Sequence, residues 1–440
     1  MSFQSLMLSQ KLQDTIKQLG YIEPTEIQKQ SIPLLLEGRD ILATSQTGTG
    51  KTASFVLPML ENLEERDEPK KGDERYKIDA LILAPTRELV LQIHEKIEAY
   101  AKAFSHKSVA LYGGVKLGSQ VKEIRAGANI AVSTTARVRE HIKNRSINLS
   151  NVKIIILDEA DKMLDMGFID DIRAIIAQIP KKVGDKKRHS IMFSATFPPK
   201  IMKLANSFLD NPIIIEIDKE NLSTKQVKQL IHRVKEEEKI SLLTTLIRDN
   251  RWHQVLIFTN TKIQANIIVE KLKEASIKVQ AIHGDKSQGQ RVEALNAFKE
   301  QKISVLVATD VAGRGIDILN LPHVINFELP LKNEDYIHRI GRTGRAKQNG
   351  QALSLICEKE EEQLKEIEIL INQTLESIST EGFEYKSKIK TEKKKKKSTR
   401  DEKSTLKKAK EIAQRMSKKD NGDSNQKKNS KRSPRNRRYF

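Results

Sequence analysis

Between residues 41 and 217 short apolar runs alternate with charged, helically periodic segments, and this alternation narrows the fold more than any other feature of the chain. The apolar runs fall at 40–43, 79–84, 108–112, 129–133, 152–157, 190–193 and 213–217, separated by segments such as 88–103. Such a pattern predicts an α/β domain, a mostly parallel sheet covered by helices. A polar stretch, 218–227, reads as a linker. A second alternation follows, with strands at 229–234, 254–259, 278–282, 304–308, 323–327 and 351–356. It predicts a second α/β domain of about 140 residues, an ordinary domain size. Leu364, Ile367, Ile371, Leu375 and Ile378 then recur at helical spacing. The expected organisation is a first domain over 1–217, the linker over 218–227, a second domain over 228–365, a packed helix over 366–384 and a tail over 385–440.

Open parallel sheets bind ligands beyond the C-terminal ends of their strands, and the polar motifs of this chain fall there. Ser45, Gln46, Thr47, Gly48, Thr49, Gly50, Lys51 and Thr52 follow the apolar run at 40–43 and precede an apolar helix start. Glycines allow backbone N–H groups to close around phosphate oxygens, and a helix N-terminus adds positive potential. Lys51 is placed to reach the β- and γ-phosphates, and the Thr52 hydroxyl to bind Mg²⁺. The general phosphate-loop pattern begins with Gly, where this chain has Ser45. The plain alternative is a glycine turn before a helix.

The apolar run at 152–157 ends in Asp158-Glu159-Ala160-Asp161. Two carboxylates delivered by a buried strand to the sheet edge suit a metal–phosphate site, Asp158 holding Mg²⁺ and Glu159 polarising the attacking water. Against this stands a charged loop after a strand. Ser194-Ala195-Thr196 follows the run at 190–193. In the second domain, His338-Arg339-Ile340-Gly341-Arg342-Thr343-Gly344-Arg345 puts three arginines in seven residues. Guanidinium groups suit bidentate phosphate binding, and an arginine brought from a second domain makes hydrolysis depend on closure. A basic surface loop is the alternative.

Charge is distributed unevenly. The chain carries a net +20, yet residues 385–440 hold 23 Lys/Arg against 6 Asp/Glu, leaving the rest close to neutral. The composition of that tail predicts disorder and sequence-blind binding of polyanions, with a merely solubilising tail as the alternative. The single cysteine, Cys357, rules out an intrachain disulfide and fits a reducing compartment. The first residues carry no basic-then-apolar leader pattern, and no apolar run approaches the roughly 18 residues of a membrane span. The expectation is a cytoplasmic protein with no membrane partner.

Together, in this order across two domains, the motifs resemble those of the DEAD-box RNA helicases, most closely the bacterial RhlE kind, over roughly residues 1–357. The resemblance implies two tandem RecA-like parallel-sheet domains followed by the disordered basic C-terminal tail. It also implies ATP and Mg²⁺ as cofactors, RNA as a partner bound largely through its backbone, and ATP hydrolysis coupled to local duplex opening. Phe3 and Gln28 match the adenine-recognising motif; from spacing alone Gln28 reads as a surface helix residue. Ser45 replaces the Ala usual in the family. Pro85, Thr86, Arg87, Glu88 and Leu89, with Gly113 and Gly114, match RNA-backbone elements of the first domain. Asp161, Ser194 and Thr196 match the coupling between nucleotide state and strand separation. Gln288, Arg291 and Phe298 match a helix of the second domain. Thr309 matches an RNA contact, Asp317 a residue at the ATP ribose, Arg342 and Arg345 the arginine fingers, and His338 begins their motif. One element departs: the family's T-P-G-R is here Thr134-Thr135-Ala136-Arg137, which keeps Thr134 and Arg137 as expected RNA contacts but loses a fixed φ and gains a Cβ. That departure motivates a second reading, an ATP-controlled RNA clamp or remodeller with little strand separation. A DNA helicase is a third. Ribosome assembly, messenger decay and cold-shock remodelling are all open as settings, and protein partners are not indicated.

Overall fold

The computed structural model describes residues 2–44, 49–65, 77–217, 227–310, 318, 321–344, 350–383 and 385. Most of the expected linker, residues 218–226, and all of the tail but Tyr385 lie outside the described residues.

Among the described residues of the first half there are nine strands: β1 (Ile41–Thr44), β2 (Ala80–Leu83), β3 (Ser108–Leu111), β4 (Ile130–Ser133), β5 (Ile154–Leu157), β6 (Lys182–Val183), β7 (Lys186–Lys187), β8 (His189–Ser194) and β9 (Ile213–Glu216). Seven of them form one sheet in the order β3-β4-β2-β5-β8-β1-β9, every ladder parallel. β6 and β7 form a separate antiparallel hairpin. Alternate residues of each strand feed two cores. Ile82 and Ile156 pack with Phe55 and Val56 of the helix Lys51–Asn62 on one face. Leu81, Leu83 and Leu157 pack with Met163 and Ile172 on the other. Burial on both faces is why these strands read as unbroken aliphatic runs.

The second half repeats the plan with β10 (Val227–Arg233), β11 (Val255–Thr259), β12 (Val279–Ile282), β13 (Val305–Thr309), β14 (His323–Asn326), β15 (Gly350–Ile356) and β16 (Glu376–Ile378), ordered β12-β13-β11-β14-β15-β10-β16 and again all parallel. These are the two tandem sheets expected of RecA-like domains. All thirteen strands anticipated from sequence are present, with ends shifted by no more than two residues.

Residues 366–384 depart from expectation. The helix runs only Glu361–Ile371 and stops at Asn372, which adopts φ +51. The chain then turns, and β16 joins the sheet edge beside Leu230–His232. A three-residue edge strand that is mostly exposed has too little patterning to announce itself.

At the N-terminal end of the first sheet, Asp40 fastens three strands. Its carboxylate accepts from the Ser190 N–H at 2.8 Å and the Asp210 N–H at 2.8 Å, ahead of β9. Burial pushes its pKa up, and those two backbone bonds oppose the rise. Replacing it by Ala leaves the buried Ser190 N–H unpaired, while the N–H of exposed Asp210 can turn to water. Asp40→Ala should therefore cost about 1–3 kcal/mol in urea unfolding. A loss within about 0.5 kcal/mol, the scatter of neutral surface changes, would show that water replaces the carboxylate there.

Candidate functional site

The phosphate-loop lysine starts the helix Lys51–Asn62, whose N-cap is Gly50 at φ +89. A Cβ at Gly50 would lie 2.4 Å from Gln28 Nε2 and 2.9 Å from Thr25 Oγ1. Gly50 is thus required twice, for its left-handed backbone and for the side chains pressed on it. Gln28 is not a surface residue. It is 1% exposed, accepts from the Thr25 N–H at 2.9 Å and donates to the Gly50 carbonyl at 3.0 Å. The helix Glu26–Leu36 therefore touches the phosphate loop directly through the Gln28 amide. Phe3 is buried, edge-on to Tyr21 with ring centroids 6.2 Å apart. The Tyr21 hydroxyl in turn meets that of Tyr100 at 2.6 Å. Ser45, Gln46, Thr47 and Gly48 lie outside the described residues.

β5 delivers Asp158 and Glu159, 2% and 3% exposed. The Asp158 carboxylate stands 3.7 Å from Lys51 Nζ and accepts the Glu159 N–H at 2.9 Å. Burial pushes its pKa up, with Lys51 opposing. Glu159 caps the helix Ala160–Asp165 at φ +54, ψ +49, a left-handed conformation for a side chain other than glycine. Such positions store on the order of 1–3 kcal/mol and gather at functional sites. Lys162 Nζ lies 2.9 Å from Glu159 Oε2, and both side chains of this ion pair are buried. Burial raises the Glu159 pKa, but Lys162, Lys51 and Arg342 together outweigh it and hold the carboxyl below the usual range. Arg342, 3% exposed, belongs to the second half of the chain. The site is therefore built from both sheets.

The donor set fits a hard divalent cation of the Mg²⁺ kind. A buried carboxylate that desolvation disfavours is relieved by a cation, and the half-buried Thr52 sits next to Lys51. Among the described residues no three His, Cys, Asp or Glu side chains converge as a cage.

Asp161 reaches across to accept the Ala195 N–H at 3.2 Å, and Ser194 Oγ donates to the Thr196 carbonyl at 2.7 Å. The two coupling motifs are thus in contact. Beyond β2, buried Pro85 precedes Thr86, which caps the helix Arg87–Tyr100 by accepting from the Leu89 N–H at 3.3 Å. The Arg87 guanidinium lies on Gly113 and Gly114; a Cβ at Gly114, φ +90, would sit 2.5 Å from it. Thr134 caps the helix Thr135–Lys143. Arg137, expected at RNA, turns inward instead. It donates to the Tyr112 carbonyl at 2.8 Å and to the Val115 carbonyl, and pairs with Glu140 at 2.8 Å. With 5% exposure it shapes the loop carrying Gly113 and Gly114 rather than offering charge outward.

In the second half Thr309 ends β13, and half-buried His338 lies on the helix Asn333–Ile340 that leads to Arg342. Asp317 and Arg345 lie outside the described residues. Three residues matter here to which motif reading gave no role of their own, and a fourth, Glu88, was read only as part of the RNA-backbone element. Lys162 is the buried partner of Glu159; its i+3 spacing was the available signal. Arg339 uses all five of its donors: two to Asp310 at 2.6 and 2.7 Å, and others to Asn326 at 3.3 Å, the Glu328 carbonyl at 2.6 Å and Asn260 at 3.0 Å. Glu88 of the first half receives Arg291 at 2.8 Å and Gln288 at 3.4 Å. Lys332 pairs with Asp165 at 2.7 Å, joining the start of the helix that leads to Arg342 to the end of the helix that Glu159 caps. Pairings between sequence-distant halves leave no local signal.

Two family models match the chain: DEAD/DEAH box helicase over residues 25–204 and helicase conserved C-terminal domain over 238–347. The chain is 38% identical over 367 residues to the DEAD-box ATP-dependent RNA helicase CshA of Bacillus subtilis, covering 83% of this chain and 72% of that one. It is 37% identical over 390 residues to RhpA of Helicobacter pylori, covering 89% and 76%. Its fold matches S. cerevisiae Dbp5 bound to RNA and ADP BeF3 with TM-score 0.76 and 31% identity, covering 86% of this chain and 96% of that one. These matches, spanning both sheets and the motifs at their edges, place the chain in the DEAD-box ATP-dependent RNA helicase family.

Proposed function

We propose that this helicase hydrolyses ATP to ADP and phosphate between its two sheets and uses the cycle to open or remodel short RNA duplexes. The observation that carries the reading is that buried Arg342, from the second half of the chain, acts electrostatically on Glu159, beside Lys51 and Asp158. Lys51 and the backbone around Gly50 hold the phosphates. Gln28, tied to Gly50, links recognition of the base to the set of that loop. Asp158 and Thr52 hold Mg²⁺, which offsets phosphate charge when bound. Glu159, kept ionised by its cationic neighbours, orients water for in-line attack. Arg342, joined by Arg345 on this reading, stabilises the charge that develops on the transferred phosphoryl group. His338 and Asp317 complete the nucleotide contacts from the second half, and Phe3 supports the adenine side. Asp161, Ser194 and Thr196 carry nucleotide state toward the RNA edge. There Pro85, Thr86, Arg87, Gly114, Thr134 and Thr309 contact the sugar–phosphate backbone, while Arg137 positions their loop. Backbone contact implies little sequence preference.

The clamp reading draws on one observation. Thr135 stands at the first turn of its helix with its hydroxyl buried and without a hydrogen-bond partner. An element altered in this way suits grip without strand distortion. ATP-dependent displacement of a short duplex excludes the clamp; RNA-stimulated hydrolysis with no displacement excludes unwinding.

Glu159→Gln should leave ATP binding intact while turnover falls about 100-fold or more, the usual range for a lost proton-handling group. Turnover near the wild-type rate would remove Glu159 from its role. The Lys332–Asp165 pair is partly exposed, so its contribution is about 0.2–1 kcal/mol. Lys332→Glu should therefore lower RNA-stimulated turnover about two- to fivefold at low salt. Adding Asp165→Lys in the same chain should restore it, and no recovery would mean that the pair does not support closure. Deleting residues 385–440 should weaken RNA binding at low salt and flatten its salt dependence, with RNA-saturated turnover nearly unchanged. An unaltered salt slope would reduce the tail to a solubilising role.

A further inference from the structure

The hairpin β6–β7 belongs to neither seven-stranded sheet. It has two residues per strand and a Gly184-Asp185 turn, with Gly184 at φ +60 as a tight primed turn needs. Lys181, Lys182, Lys186 and Lys187 are exposed and Val183 is half-buried, so the ribbon buries little. Ribbons of this kind are marginal in water by themselves. This one is also set against itself electrostatically. Lys182 stands directly opposite Lys187, and like charges at facing positions destabilise a hairpin. Residues 181–188 hold five cations and one carboxylate.

Arg188 roots the ribbon. Its N–H donates to the Lys181 carbonyl at 2.9 Å, and its guanidinium reaches the Ile179 and Phe208 carbonyls at 3.5 and 3.4 Å. The four lysines are left outside. Lys186 meets Glu64 at 3.0 Å, a carboxylate already shared with Lys153, and Lys187 meets Asp210 at 2.8 Å. All of these hairpin-pair side chains are more than 60% exposed, and such pairs exchange readily for another anion. Lys181 and Lys182 make no ion pair among the described residues.

The hairpin enters β8 at its N-terminal end, whereas Ser194-Ala195-Thr196 lies at the other end, next to the nucleotide and RNA elements. Six residues of strand separate them by about 20 Å. We infer that the β6–β7 hairpin is a second RNA-backbone contact, at the end of the first sheet opposite the catalytic edge. The inference rests on the RNA-helicase reading. Phosphates placed over Lys182 and Lys187 relieve the cross-strand repulsion that the free ribbon carries. Contact through phosphate alone is blind to sequence. Only an RNA large enough to wrap the domain engages both ends at once, so the hairpin holds structured RNA while the catalytic edge releases a strand.

The test uses the full chain and one variant, K181Q, K182Q, K186Q and K187Q combined. Two probes are compared: a long stem–loop RNA with a single-stranded extension, and a single-stranded oligonucleotide too short to span the domain. On the stem–loop the slope of log affinity against log salt should become shallower by about 3, as expected for four lost phosphate contacts. On the oligonucleotide the slope and the turnover at saturation should be unchanged. In the wild-type chain the stem–loop, and not the oligonucleotide, should shield lysines 181–187 from acetylation. Equal slopes for variant and wild type on the stem–loop, or equal losses on both probes, would overturn the proposal. So would shielding in cell extract that survives nuclease digestion of RNA, since that indicates an acidic protein surface. A wild-type chain that no RNA stimulates would instead defeat the helicase reading itself.

Discussion

Two carboxylates at the end of one strand, Asp158 and Glu159, set the terms for the rest of the molecule. Each is almost wholly enclosed, and an isolated buried carboxylate neutralises itself unless cations come to it. The chain supplies them from three directions. Lys51 comes from the phosphate loop, Lys162 from the next turn of the same segment, and Arg342 from the second sheet. Asp158 is left disfavoured by burial and Glu159 is held ionised. Two adjacent acids thus differ in electrostatic surroundings. One has a charge that burial disfavours; the other has a charge that neighbouring cations stabilise.

The second half fixes the approach to Arg342 with a side-chain network of its own. Arg339 satisfies every one of its donors on Asp310, Asn326, Asn260 and Glu328, lying 5.3 Å over the Phe258 ring. It joins the ends of β11, β13 and β14 to the helix that leads to Arg342. A guanidinium so fully bonded cannot wander, and its backbone neighbours cannot either. Strand ends fixed in this way let one arginine be placed accurately from a distant part of the chain.

Much of this was legible in the sequence, and the limits are instructive. The aliphatic runs announced thirteen strands because burial on both faces leaves no polar alternation to confuse them. Motifs at strand ends marked Lys51, Asp158, Glu159 and Arg342 because phosphate chemistry needs those side chains at those places. Gln28 was misleading by spacing, since a capping position looks exposed until the loop folded against it is known. Arg137 was misleading by charge, since carbonyls of Tyr112 and Val115 compete for the same guanidinium. β16 and the β6–β7 hairpin were invisible because neither has enough buried surface to imprint a pattern. Glu88 with Arg291, and Asp165 with Lys332, are contacts between halves and have no local trace.

Those last pairs also explain how a closed arrangement remains reversible. Lys332 and Asp165 keep much of their exposure, so water replaces each partner at small cost when the halves part. Glu88 and Arg291 are more enclosed, and their attraction is offset by the desolvation each suffers on closure. Arg291 Nε and Gln288 Oε1 are left without hydrogen-bond partners in that contact, which lowers its net worth further. Neither pair can hold the halves together unaided. On the proposed function, closure is driven by what lies between them, nucleotide phosphates at Lys51 and Arg342 and RNA along the strand ends, and loss of phosphate charge on hydrolysis removes part of that drive. A hydrophobic seam of similar size would instead hold the halves together whatever the nucleotide.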